Sequence, residues 1–143
     1  MQDEAKSYNT ARWLAYALED LAAAQAGLTN KEMVSRHICS FAQQAAEKAM
    51  KSGFIWMEID VIRTHDIFFI QQKLPTTWQI HLIPEQELAS LTSWAVGSRY
   101  PGEEQDPSEE DAKTAVSIAQ DVCRAMLADL ATAGYIGVSP SAT

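Results

Sequence analysis

Apolar residues recur along most of this chain at intervals of three and four, the spacing that lines one face of a helix. Between residues 7 and 26, Trp13, Leu14, Ala17, Leu18 and Leu21 form one stripe, and Gly27 offers a stop. Thr29-Asn30-Lys31-Glu32 predicts the next helix start, since a hydroxyl followed three residues later by Glu can cap two backbone N–H groups reciprocally. Ile38, Phe41, Ala42, Ala45 and Ala49 give that helix its apolar face. Lys48 and Lys51 near its end suit the helix dipole, and Gly53 is the expected terminator. Residues 54–64 have strand-like composition but nothing to pair with, so they read as a connection packed on the core. A short third helix is expected from His65 to Leu74, stopped by Pro75, and Pro84 opens a fourth over residues 85–96. Ser108 can cap a long fifth helix with Glu109, Glu110 and Asp111 in its first turn. Its stripe is Ala112, Ala115, Ala119, Val122, Cys123, Met126, Leu127 and Leu130, and it ends at Gly134. The pattern predicts an all-α, up-and-down bundle of four to five helices over residues 5–132, with residues 133–143 as a flexible tail.

Composition narrows the functions this bundle can carry. The 143 residues are the size of one ordinary domain, with 47% hydrophobic and 21% charged residues. Nineteen acids against eleven Lys and Arg leave a net charge of −8. That balance opposes broad capture of nucleic acid or an anionic membrane, although it leaves room for a local basic pocket. Cys39 and Cys123 match no metal-ligand spacing and fall among apolar positions, so they read as buried free thiols. No apolar run is long enough for a membrane span and the first residues do not resemble a signal peptide. A cytoplasmic setting is expected.

No Gly-rich phosphate loop is present, and no Glu-x-x-His pair of a di-metal bundle; neither metal nor cofactor is expected. Three clusters remain. In FAQQAAEKAMK (residues 41–51), adjacent glutamines point in different directions, so one can make an inner polar contact while the other is solvated. A packing face with hydrogen-bonded amides is the first reading of that segment, and ligand binding through Gln44 and Lys48 the second. In Arg63-Thr64-His65-Asp66, His65 can serve as base or ligand, while Thr64 or His65 can equally cap a helix. In Ser98-Arg99-Tyr100-Pro101, proline stiffens a loop that presents Tyr100 and Arg99, whose fork suits a phosphate or carboxylate but can equally clamp Glu103 and Glu104 or a helix C-terminus.

Taken in order, Trp13-Leu14, Asp20-Leu21, CSFAQQAAEKAMK, His65-Asp66-Ile67 and Ser98-Arg99-Tyr100-Pro101 resemble the HEPN domain family over residues 5–132. The resemblance implies a helical bundle, frequent homodimers with a cleft near their interface, and work beside a small nucleotidyltransferase, often as a toxin–antitoxin pair. It implies Gln44, Lys48, His65, Arg99 and Tyr100 as ligand-binding residues, with nucleotide or RNA as the ligand class. Other members are metal-independent ribonucleases that carry an Arg and a His separated by four to six residues. This chain departs from that signature: counted from Arg99, the positions hold Glu104, Gln105 and Asp106. A dimeric interaction or nucleotide-binding accessory module is therefore the first expectation. The alternative is a ribonuclease that assembles His65 and Arg99 through folding.

Overall fold

A computed structural model describes residues 2–97 and 106–137. Helices α1 (Gln2–Gly27), α2 (Ser35–Met57), α3 (Ile67–Gln72), α4 (Glu85–Gly97) and α5 (Glu109–Thr132) follow in chain order, with a 3-10 turn at Gln79–Leu82 before α4. No strand occurs among the described residues, and the all-α bundle expected from the periodicity is the fold.

Helix α2 occupies the centre, packing along α1 on one side and against α5, α4 and α3 on others. It can do so because Ala42, Ala45, Ala46 and Ala49 leave room for neighbouring backbones; all four are fully buried. Ala17, Leu21 and Ala24 from α1 meet it, and Ala115, Ala119, Val122 and Met126 from α5 complete the same core. Leu18 and Leu127, expected in the stripes, lie at their margins and are exposed.

Three element boundaries differ from the sequence reading. Thr29 and Glu32 do not box the start of α2. Thr29 Oγ1 donates to the Ala26 carbonyl and the Glu32 amide to Asn30 Oδ1, so this segment is spent on a tight turn, and α2 begins at Ser35. Gly53 does not stop α2. A Cβ there would come within 2.7 Å of Met126 Cε and 3.0 Å of Leu74 and Trp78, so the glycine serves close helix packing. The helix continues to Met57 and ends where Glu58 turns left-handed at φ 57°. The third helix starts at Ile67 because Asp66 is its cap, its carboxylate accepting from the Phe68 and Phe69 amides.

Ser108 caps α5 as expected. Its hydroxyl accepts from the Asp111 amide at 3.0 Å, and the Asp111 carboxylate accepts from the Ser108 amide at 3.0 Å. Ser108→Ala should cost about 1 kcal/mol, read as a fall of roughly 3 °C in melting temperature; an unchanged melt would mean that the box adds nothing.

Candidate functional site

Gln43, Glu47 and Lys51 stand one turn apart on α2, which brings the three side chains to one face, and all three are buried. The Glu47 carboxylate is the hub. Its Oε1 accepts from Gln43 Nε2 at 3.1 Å and lies 2.9 Å from His65 Nδ1, while Oε2 receives Lys51 Nζ at 2.9 Å. Gln43 also donates to the His65 backbone carbonyl at 2.9 Å, so the connection before α3 is held from both its backbone and its side chain. Burial alone would raise the Glu47 carboxyl, but hydrogen bonds from His65, Lys51 and Gln43, with the Lys51 charge, bring it below the usual carboxylate range.

An ionised carboxylate at Nδ1 sets that nitrogen as the donor and leaves Nε2 as the free one. The His65 side chain is 67% exposed, so this nitrogen is accessible for proton transfer. Lys51 is committed to Glu47 and offers no charge to a ligand.

A second arrangement lies between α1 and α2. Arg12 Nη2 donates to the Tyr16 hydroxyl at 2.9 Å and Nη1 to the Tyr8 hydroxyl at 3.4 Å, with the guanidinium over both rings. Lys48 reaches from α2 to Asp20 at 2.6 Å and lies 5.9 Å from the Tyr16 ring centroid. Arg12, Trp13, Tyr16 and Lys48 line a hollow of about 320 Å³. Two cations beside two aromatic rings can accept a planar, negatively charged molecule by stacking and charge. The larger hollow of about 500 Å³, where the α1–α2 turn meets the start of α5, sets Lys31 and Lys113 beside Glu109 and has no aromatic wall. Lys113 is paired with Glu110 there.

The residues singled out in the sequence do not converge. His65 joins the Glu47 network, Gln44 is tied to Ser40, and Lys48 turns toward α1. Arg99 and Tyr100 lie outside the described residues. Glu47, Arg12 and Tyr16 were not singled out, although Gln43-Glu47-Lys51 and Tyr8-Arg12-Tyr16 both recur at four-residue spacing. That spacing is the signal that could have found them.

Burial pushes the Cys39 and Cys123 thiols up to about 12, with Asp111 adding to the effect at Cys39, so both are protonated at neutral pH and poor nucleophiles. Among the described residues no group of His, Cys, Asp and Glu could hold a metal ion, and no helix is long and apolar enough to cross a membrane.

These features define a class: an antiparallel helical bundle built on an alanine-rich central helix, with a carboxylate-held histidine at one edge and a cationic aromatic hollow at another. The HEPN domain family matches residues 10–130, and the chain belongs to that family. The fold is shared with TT1696 from Thermus thermophilus, at 24% identity and a TM-score of 0.73 over 85% of this chain and 98% of that one. No curated protein sequence gives a significant match.

Proposed function

We propose that this HEPN protein is a dimeric accessory module that binds a nucleotide and works in the cytoplasm beside a small nucleotidyltransferase, as one half of a toxin–antitoxin-like pair. The observation that carries the reading is the hollow of Arg12, Trp13, Tyr16 and Lys48. A base would lie against the aromatic rings, with phosphate drawn to Arg12 and to Lys48 in exchange for Asp20. Gln44 stands one turn before Lys48 and, with Arg99 and Tyr100, stays in the proposed ligand set, whereas His65 stands with Glu47 at another edge and serves the second reading below. A net charge of −8 disfavours a long polyanion, so a mononucleotide fits better than extended RNA, and the same acidity suits a partner with a basic face.

Titration calorimetry with ATP and AMP tests this. Saturable binding to wild type, weakened roughly tenfold or more in Arg12→Ala and Lys48→Ala, is the expected result. No heat with either nucleotide would overturn nucleotide binding.

A metal-independent ribonuclease is the second reading, and the Glu47–His65 pair favours it. His65 Nε2 would accept the proton of an RNA 2′-hydroxyl, with Arg99 stabilising phosphate charge. End-labelled RNA in chelator separates the two readings. Cleavage that disappears in folded His65→Ala and Arg99→Ala would establish the enzyme, and its absence across several RNAs would leave the binding module.

A further inference from the structure

We propose that the outward face of α1 is the surface on which two copies of this chain pair, antiparallel about a two-fold axis between Ala15 and Tyr16. The inference rests on the dimeric reading above and adds to it the face and the register.

Leu14, Ala17, Leu21 and Ala24 turn α1 toward the core. On its opposite side Glu4, Ala5, Tyr8, Arg12, Glu19, Ala22 and Ala26 are exposed, a line of small and aromatic side chains with one cation and two acids. Tyr8 and Tyr16 are 41% and 49% exposed, a large apolar surface for a helix that is otherwise well packed. Arginine flanked by tyrosine is the composition of an interface core.

The register follows from the spacing. Ala5, Arg12, Glu19 and Ala26 recur every seven residues, so they run along one side of the helix. In an antiparallel pair centred between Ala15 and Tyr16, Arg12 meets the partner's Glu19, and the two-fold axis repeats that ion pair. Tyr8 then lies over the partner's Ala23, Tyr16 over the partner's Ala15, and Ala5 faces the partner's Ala26. Each tyrosine meets a small residue, and Arg12 meets its opposite charge at the centre, while Glu4 lies at the end of the strip against the partner's Gly27.

Neither Arg12 nor Glu19 has an ion-pair partner within the chain among the described residues. Arg12 is already held by the two tyrosine hydroxyls, which lowers the entropy lost when it docks. The central turns carry Arg12 and Lys48 against Glu19 and Asp20, a balanced patch on a chain of net charge −8. Two acidic copies repel least when they approach on such a face. Twenty-six residues make a helix about 39 Å long. Arg12 and Tyr16 also line the hollow proposed for a nucleotide, so ligand and partner would compete for the same two side chains.

A charge swap tests face and register together. Sedimentation equilibrium of the full chain should give twice the 15.8 kDa mass for wild type. Arg12→Glu and Glu19→Arg each place like charges opposite one another twice, and should weaken dimerisation roughly tenfold or more. The double variant Arg12→Glu/Glu19→Arg restores opposite charges and should return to wild-type mass. Both positions are exposed, so all three variants should keep the helical circular dichroism of wild type, with melting temperature falling only as far as dimerisation weakens. A wild-type monomer at about 100 µM, a micromolar association being expected of such a face, would overturn this inference and the dimeric reading with it. A dimer indifferent to the single changes would overturn the α1 face and leave the dimeric reading standing. A double variant that stays monomeric would overturn the register.

Discussion

Glu47→Ala should cost about 3–5 kcal/mol, because it removes the carboxylate that balances a buried lysine. Lys51 is 7% exposed and its Nζ has Glu47 as its counter-ion at 2.9 Å, so the truncated protein must either bury an unpaired ammonium or open the helix to admit water. The other partners contribute less. His65 is exposed and can turn to solvent, and Gln43 keeps its bond to the His65 carbonyl. Urea unfolding followed by circular dichroism reads the loss as a lower midpoint at unchanged slope. Glu47→Leu with Lys51→Met should recover most of it, because replacing both members of a buried pair by apolar groups removes the desolvation cost along with the attraction. A Glu47→Ala loss under 1 kcal/mol would mean that Lys51 finds water easily and that the pair is peripheral.

The same network sets an acid limit. The Glu47 carboxyl titrates below its ordinary range in the folded chain, so the unfolded chain binds its proton more readily. The stabilisation it brings is therefore complete above the ordinary carboxylate pKa, about 4.3, and is lost as pH falls through the lower folded value. Melting temperature should drop below that point in wild type and drop less steeply in the Glu47→Leu/Lys51→Met double variant.

Much of this fold was legible because its information is local. The alanine stripe of α2, the Ser108 cap and most of the helix-period apolar positions each act within a turn or two and were found where expected, with Leu18 and Leu127 at the exposed margins. The errors share another origin. Gly53 reads as a stop in one dimension, yet Met126, Leu74 and Trp78 arrive there from distant parts of the chain and demand a residue without a side chain. The Thr29–Glu32 pattern fits a cap, yet the turn that brings α2 against α1 uses those residues first.

The candidate site was less legible for the same reason. His65 was identifiable as a chemistry-bearing residue, but its meaning depends on Glu47, eighteen positions earlier and brought near only by the fold. Lys48 was expected to serve a helix end or a ligand, and Asp20 across the α1–α2 interface instead fixes where its charge sits. Arg12 lay within an otherwise ordinary amphipathic pattern. Its tyrosine ladder becomes visible only when four-residue spacing is read on the polar side of the helix as well as the apolar one.

Asp129→Ala should be the second most damaging change, at about 2–4 kcal/mol, although nothing nearby in sequence marks that residue. The 3-10 turn at Gln79–Leu82 starts from Trp78, which has no side-chain cap. Its first amides are instead satisfied from α5: Asp129 accepts from the Gln79 amide at 2.7 Å and the Ile80 amide at 3.0 Å, and is itself buried. Alanine would leave two donors without partners, one of them on the fully buried Ile80, where water cannot replace the carboxylate cheaply. Asp129→Asn keeps one acceptor but turns an amide toward the second N–H, so about half the loss should remain. Gln71 holds the other end of the turn, donating to the Ile80 and Ile83 carbonyls at 2.7 and 3.1 Å. Its removal together with Asp129 should therefore fall short of the sum of the separate losses, because either change alone already loosens the same turn. Amide exchange distinguishes this account from a general loss of packing. The Gln79 and Ile80 amides should lose protection in Asp129→Ala well before those of α2, whereas uniform loss across the bundle would mean that Asp129 acts through the core and not through the cap.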